Sequence, residues 1–231
     1  MSEAGYAKKR CAMVNRLVRE GVIKSEAVKH AFLTLPRELF VWEGGETAAY
    51  ADSPQPLGMT DQTISAPHMI AIMLEELGLK VGMSVLEVGA GSGYTSALIS
   101  EIVAPSEKES EGRGHVTSVE LLDELVQFAS GNLGRAGYSS VVTVVSGDGT
   151  LGYPEKNSEE IYDRIIVTAA APHIPVYLQI QLKKGGVLLI PVGNPLEQLL
   201  LRVSKSEAGE VTSRSVIECM FVPLIGEDGF H

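Results

Sequence analysis

The sequence predicts an α/β protein, a doubly wound and mostly parallel sheet with an N-terminal helical extension. Two observations predict it. From Ser84 to Val192, short apolar runs alternate with stretches of helical periodicity, the pattern of a parallel sheet covered on both faces. The first of those runs leads through a glycine-rich turn straight into a helix, Val85 to Ser96, VLEVGAGSGYTS. The 231 residues, 45% of them hydrophobic, are enough for one sizeable domain. We expect a single unit over 1–231, with helices and a substrate loop over 1–80, the α/β core over 81–193, and a β hairpin and tail over 194–231.

Each element has its own signal. Residues 5 to 35 read as two helices. Cys11, Val14, Leu17 and Val18 recur at helical spacing before Gly21, and Ser25 can cap a second helix whose face is Val28, Ala31, Phe32 and Leu35. Residues 43 to 62 are rich in Gly, Pro, Asp and Thr and read as a long loop. A third helix should start at Ser65 and run to Leu77, closed by Gly78. Strands follow at Val85 to Val88, His115 to Glu120, Val141 to Val145, Arg164 to Ala169 and Gly186 to Val192. The intervening helices fall at Tyr94 to Val103, about 122 to 133, and Val176 to Leu182. Leu199 to Val203 and Ser215 to Val222 should pair as a hairpin at the sheet edge. The charged stretch Pro105 to Gly114 reads as a flexible surface insertion.

Composition excludes several functions. Lys plus Arg is 19 and Asp plus Glu is 29, a net charge of −10, and phosphate-backbone binding needs clustered cations. The densest basic run, Lys8-Lys9-Arg10, is short and reads as a solvated helix face. We therefore expect no nucleic acid partner. No apolar run is long enough to span a bilayer, and no signal-peptide pattern stands at the N-terminus. Two cysteines, Cys11 and Cys219, make no disulfide framework. A cytoplasmic monomer with reduced thiols is the expectation. His30, His68, His115, His173 and His231 show no metal-ligand spacing.

The glycine turn carries the chemistry. Glycine lets the backbone turn sharply and lets a ligand approach without a Cβ in the way. A dinucleotide site needs Gly-x-Gly-x-x-Gly/Ala, and Tyr94 occupies the sixth position here, which argues against a dehydrogenase. Glu87-x-Gly89-x-Gly91-x-Gly93 instead resembles motif I of class I S-adenosylmethionine-dependent methyltransferases. Glu120 ends the second strand, where an acid can accept both hydroxyls of a ribose. Asp148-Gly149 follows the third strand. Alone it is turn chemistry; with a methyltransferase turn beside it, Asp148 would meet the adenine amino group and Gly149 would leave room for the ring.

Outside this unit lies Gln62-Thr63-Ile64-Ser65-Ala66-Pro67-His68. Ser before Ala-Pro is a good helix N-cap, and a helix start also attracts a carboxylate. This string resembles the signature of the protein-L-isoaspartate (D-aspartate) O-methyltransferase family. So do Leu35 to Val41, LPRELFV, and Tyr50-x-Asp52-x-Pro54-x-Pro56-x-Gly58. Gln181 to Gly186, Pro191 to Gly193 and Phe221 to Leu224 match further stretches, so the resemblance covers almost the whole chain.

The resemblance implies methyl transfer from S-adenosyl-L-methionine to the α-carboxylate of L-isoaspartyl residues in damaged proteins and peptides. S-adenosyl-L-homocysteine would be the product, and use of D-aspartyl residues is left open. By the same resemblance Ser65 would hydrogen-bond the substrate carboxylate, Thr63 and Ile64 would shape its pocket, and Ala170 and Val192 would line the peptide site. Three departures stand out. Asp61 replaces a residue that is often Gly, the charged insertion at 105 to 114 is unusual, and the tail Ile225 to His231 lacks the Thr and Gln that some relatives place near the cofactor, so it is assigned no binding role. Other readings are a class I methyltransferase for a small molecule or RNA, and a module that binds the cofactor without turnover. Asp228-Gly229, in a tail read as mobile, should slowly form isoaspartate and make the protein its own substrate.

Overall fold

The computed structural model describes residues 2–58, 60–105, 112–155 and 158–231. The expected surface insertion falls largely on 106–111, outside the described residues. Helix α1 (Glu3–Arg19) is capped by Ser2, and α2 (Glu26–Thr34) by Ser25, whose hydroxyl accepts the Val28 N–H at 3.3 Å. Between α2 and the core, the described residues of 43 to 62 are more ordered than expected. A 3₁₀ turn (Arg37–Leu39), a second one (Glu46–Ala48) and a two-strand ribbon, β1 (Gln55–Pro56) with β2 (Thr63–Ile64), give the segment a fixed path. Trp42 packs it down against Phe128, with ring centroids 4.7 Å apart.

Helix α3 (Pro67–Leu77) begins two residues later than expected, and its N-cap is Ala66, not Ser65. Its first turn is satisfied from a distance. Pro67 has no N–H, and the Asp52 carboxylate accepts the His68 N–H at 3.0 Å while also holding the His68 ring at 2.9 Å and Arg16 at 2.9 Å. Burial alone would push Asp52 up, but these hydrogen bonds outweigh it and hold the carboxyl below its ordinary value.

The core strands are β3 (Ser84–Val88), β4 (His115–Glu120), β5 (Val142–Ser146), β6 (Tyr162–Val167), β7 (Leu182–Gly193), β8 (Gln198–Lys205) and β9 (Val211–Cys219). They form a seven-stranded sheet in the order β5-β4-β3-β6-β7-β8-β9. The pairs from β5 to β7 are parallel, and β7–β8 and β8–β9 are antiparallel. The C-terminal hairpin therefore extends the sheet in sequence order, with β9 as its edge and a register shift at Leu200/Leu201.

Residue alternation divides the sheet into two buried faces. Val85, Val116, Ile166 and Leu189 meet α1, α2, α3, α4 (Tyr94–Val103) and α5 (Asp123–Ala136) on one side. Leu86, Val88, Ile165, Val167 and Leu188 meet α6 (Val176–Gln181) and the tail residue Leu224 on the other. After β5 a single 3₁₀ turn (Gly149–Leu151) stands where a longer crossover helix would fit. Among the described residues no helix is long and apolar enough to cross a membrane.

The tail is not mobile as expected. Phe230 N–H donates to Leu224 O (2.8 Å), Gly226 N–H to Phe230 O (3.1 Å) and Gly229 N–H to Gly226 O (3.1 Å). The Asp228 carboxylate accepts the Val176 N–H at 2.8 Å. Succinimide closure needs the Gly229 nitrogen to attack Asp228 Cγ, and both groups are already engaged, so the fold opposes the expected self-damage. Peptide mapping of aged protein should find isoaspartate at position 228 forming at least about tenfold more slowly in the folded protein than in its urea-unfolded form, since the reaction requires local opening.

Candidate active site

The site lies at the C-terminal ends of the parallel strands, where chain order reverses between β3's two neighbours, β4 and β6. Three connections form its floor. After β3 come Gly89, Ala90, Gly91 and Ser92; after β5 comes Gly149; after β6 come Thr168 and Ala169. Two positions require glycine. Gly89 has φ +96°, and a Cβ there would sit 2.3 Å from Thr168 Oγ1, whose hydroxyl donates to Gly89 O at 2.7 Å. A Cβ on Gly149 would meet Val88 Cγ1 at 2.4 Å.

Glu120 stands at the edge of this floor, as expected. One carboxylate oxygen accepts the Gly91 N–H at 2.9 Å and the other the Leu122 N–H at 3.1 Å. Each oxygen keeps a lone pair for a diol. Leu121 and Leu122 follow on the rim, 44% and 37% exposed, and offer an apolar wall beside the acid. An acid for ribose, an apolar wall for a base and a Cβ-free turn together fit a nucleoside-bearing cofactor.

The roof comes from outside the α/β unit. Leu57, Gln62, Thr63, Ile64 and Ser65 cover one side, and Val222 to Ile225 the other. A second hollow adjoins the first, lined by Pro54, Ala66, His68, Met69 and Glu218 to Phe221. Thr63, Ser65, Thr168 and Val222 belong to both. The Ser65 hydroxyl makes no hydrogen bond among the described residues, while its carbonyl accepts Arg37 Nη2 at 2.9 Å. In the first turn of the helix beside it, Asp52 takes the His68 N–H and Ala66 O takes that of Met69.

Several expected site residues lie elsewhere. Glu87 is fully buried on the α4 side of β3, where the Ser96 and Ser118 hydroxyls both donate to one of its oxygens and the other has no partner. Strand alternation turns it away from the cleft. Burial pushes its carboxyl up to about 7, against the pull of the two serines. Gly93 faces α5, where a Cβ would meet Leu133 Cγ at 3.0 Å. Asp148 does not line the cleft: its oxygens accept the Thr150 N–H at 2.9 Å and the Glu227 N–H at 2.7 Å. Ala170 is buried in backbone bonds to Val222 and Leu224, and its neighbour Ala169 lines the cleft instead. Val192 bridges to Ala171 outside both hollows. Asp61 is exposed and lines neither. Ile225, assigned no binding role, is part of the wall.

Sequence reading missed Arg37. Its guanidinium is fully buried, donates to Ala49 O (2.8 Å) and Ser65 O, and lies 4.7 Å from the centroid of the Tyr94 ring. Burial lowers its pKa, and Tyr94 raises it in part. Tyr94, which breaks the dinucleotide pattern, packs edge-on against Phe40 and Phe32 at 5.5 and 6.3 Å. The signal was an arginine inside the apolar string LPRELFV.

Comparison with known proteins bears on the whole chain. The family model of the protein-L-isoaspartate(D-aspartate) O-methyltransferases matches residues 8–229. A protein-L-isoaspartate O-methyltransferase of Hyperthermus butylicus is 54% identical over 99% of this chain and 93% of its own length. One of Pyrococcus horikoshii is 50% identical over 100% and 99%. A crystal structure from Plasmodium falciparum, assigned to the same activity and solved with S-adenosyl-L-homocysteine, has a TM-score of 0.80 at 26% identity and covers 93% of this chain and 97% of that one.

The position of Glu87 yields a test. Its folded pKa lies above the ordinary 4.5, so the fold favours the protonated form and loses stability as pH rises from the unfolded toward the folded value. Glu87→Gln removes that loss. Urea denaturation should show the variant gaining on the parent by up to about 3 kcal/mol between about pH 4.5 and about pH 8, at ~1.4 kcal/mol per pKa unit.

Proposed function

From the premise that this chain belongs to the protein-L-isoaspartate(D-aspartate) O-methyltransferase family, we propose that it esterifies the α-carboxylate of L-isoaspartyl residues, with Ser65 holding that carboxylate. The observation that carries the assignment of Ser65 is its place at the junction of two hollows, one floored by the glycine turn and edged by Glu120, the other open toward Met220. A cofactor in the first and a peptide in the second would meet there.

S-adenosyl-L-methionine, when bound, supplies an activated methyl group. Glu120 would hold its ribose hydroxyls, Leu121 and Leu122 would flank the base, and Gly89 to Gly91 would admit the amino-acid end against backbone. The chain's own task is then modest. A carboxylate is already ionised and nucleophilic at neutral pH, so no general base is required. Ser65 donates to one carboxylate oxygen, leaving the other free to face the methyl donor. Thr63 and Ile64 fix the approach, and the buried Ile64 excludes water from one side. The His68 and Met69 N–H groups at the start of α3 are taken, and the Ser65 hydroxyl is a donor to this anion.

Esterification turns a poor leaving group into methoxide. The neighbouring backbone nitrogen can then attack the ester carbonyl, expel methanol and close a succinimide. Its hydrolysis returns some normal aspartate. Isoaspartyl-containing proteins and peptides are the partners. Free thiols at Cys11 and Cys219 suit a cytoplasmic setting.

Labelled S-adenosyl-L-methionine should transfer base-labile methyl to an isoaspartyl peptide and none to its aspartyl twin. Ser65→Ala should lower kcat/KM for that peptide by about 10²-fold, the loss of one charge-assisted hydrogen bond in a dry site. Calorimetry should find S-adenosyl-L-homocysteine binding unchanged. Equal labelling of both peptides would refute the substrate assignment, and an active Ser65→Ala variant would refute the role of the hydroxyl.

A further inference from the structure

The wall formed by Val222 to Ile225 belongs to no helix or long strand, so something else must fix its position. Two bonds to Ala170 anchor one end, Ala170 N–H to Val222 O (2.8 Å) and Leu224 N–H to Ala170 O (2.7 Å). The other end folds back as a strap and is held by the turn after β5. Thr150, fully buried, accepts the Asp228 N–H on Oγ1 at 3.1 Å and donates the same hydroxyl to Asp148 Oδ1 at 2.6 Å. The other Asp148 oxygen takes the Glu227 N–H. Asp228 in turn accepts the Val176 N–H at the start of α6. The fit is close: a Cβ on Gly226 would lie 2.1 Å from Asp148 Oδ1, and one on Gly229 would lie 2.4 Å from Leu224 O.

The same turn presents Gly149 to the cleft. One side of the cleft and the strap that forms its opposite wall are thus a single hydrogen-bonded unit. We propose that Thr150 is a positioning residue for the cofactor cleft, acting with Asp148 and Asp228 through the C-terminal strap they hold. Thr150 itself does not line the cleft. A ligand that contacts the closed wall has an apparent Kd equal to its intrinsic Kd divided by the fraction of time the strap is closed, so loosening the clasp weakens cofactor binding. The proposal rests on reading this cleft as the cofactor site.

The test uses the full chain and S-adenosyl-L-homocysteine, with affinity from calorimetry and hydrogen exchange followed at the Leu224 and Phe230 amides. Thr150→Val should weaken binding about tenfold and speed exchange at both amides, while the peptide KM at saturating cofactor stays within about twofold. Thr150→Ser, which keeps the hydroxyl, should restore both. Asp228→Ala, a change nearer the surface, should reproduce the effect and serves if the valine variant does not fold. Faster exchange with unchanged affinity overturns the proposal, as does unchanged exchange in both variants. Failure of the wider functional reading looks different: the ligand binds and responds to the variants, but no isoaspartyl peptide is methylated. Absence of any binding by the parent protein would overturn both.

Discussion

The buried guanidinium of Arg37 is the constraint on which the site depends. A full positive charge with no directly bonded carboxylate is costly to bury, and this one is stabilised by two carbonyls and the face of an aromatic ring. The two carbonyls, of Ala49 and Ser65, lie before and after the two-strand ribbon beside the cleft. The ring belongs to Tyr94, at the start of the helix behind the glycine turn. One side chain therefore sets the distance between the roof that carries Ser65 and the floor that carries Gly89 to Gly91. A lysine could match the charge but not two separate carbonyls together with a stack on Tyr94.

Around that brace the acidic groups divide by burial. Glu120 is anchored by two backbone N–H groups and stays at the cleft edge. Asp52 is spent on the first turn of α3. Glu87 sits in the core under α4, where its carboxyl rises to about 7. A chain of net charge −10 that takes an anionic substrate gains from this arrangement. Asp52 is tied to Arg16, His68 and an N–H group, and Glu120 to two N–H groups, while Glu218 lines the second hollow with Ser65.

The alternation of strand and helix was legible because each element has its own local signal, and so were the glycine turn, Glu120 and the Thr63-Ile64-Ser65 string. The hairpin at the sheet edge was legible for the same reason. What could not be read depends on contacts between distant residues. Glu87 lies on a strand buried on both faces, so apolar neighbours give no clue to which side it points. The partners of Asp148 could not be read, because one of them, Glu227, is 79 positions away. Ala66 and not Ser65 is the N-cap of α3, and Asp52 takes the His68 N–H across a gap of 16 residues. The tail seemed mobile because glycine and aspartate favour turns, and only the packed structure shows that Gly226 and Gly229 are there to fit beneath Asp148 and Leu224.

The edge strand β9 has a consequence for an enzyme of damaged proteins. A strand of another protein, a substrate's included, can pair with an unprotected sheet edge. An open edge of nine residues, Val211–Cys219, is a template for such pairing. Here the register shift at Leu200/Leu201 disturbs the last ladder, and Arg214 and Glu218 place charge along the rim. Both features discourage edge-to-edge growth. The rim of β9 is thereby a poor template for a strand of another chain.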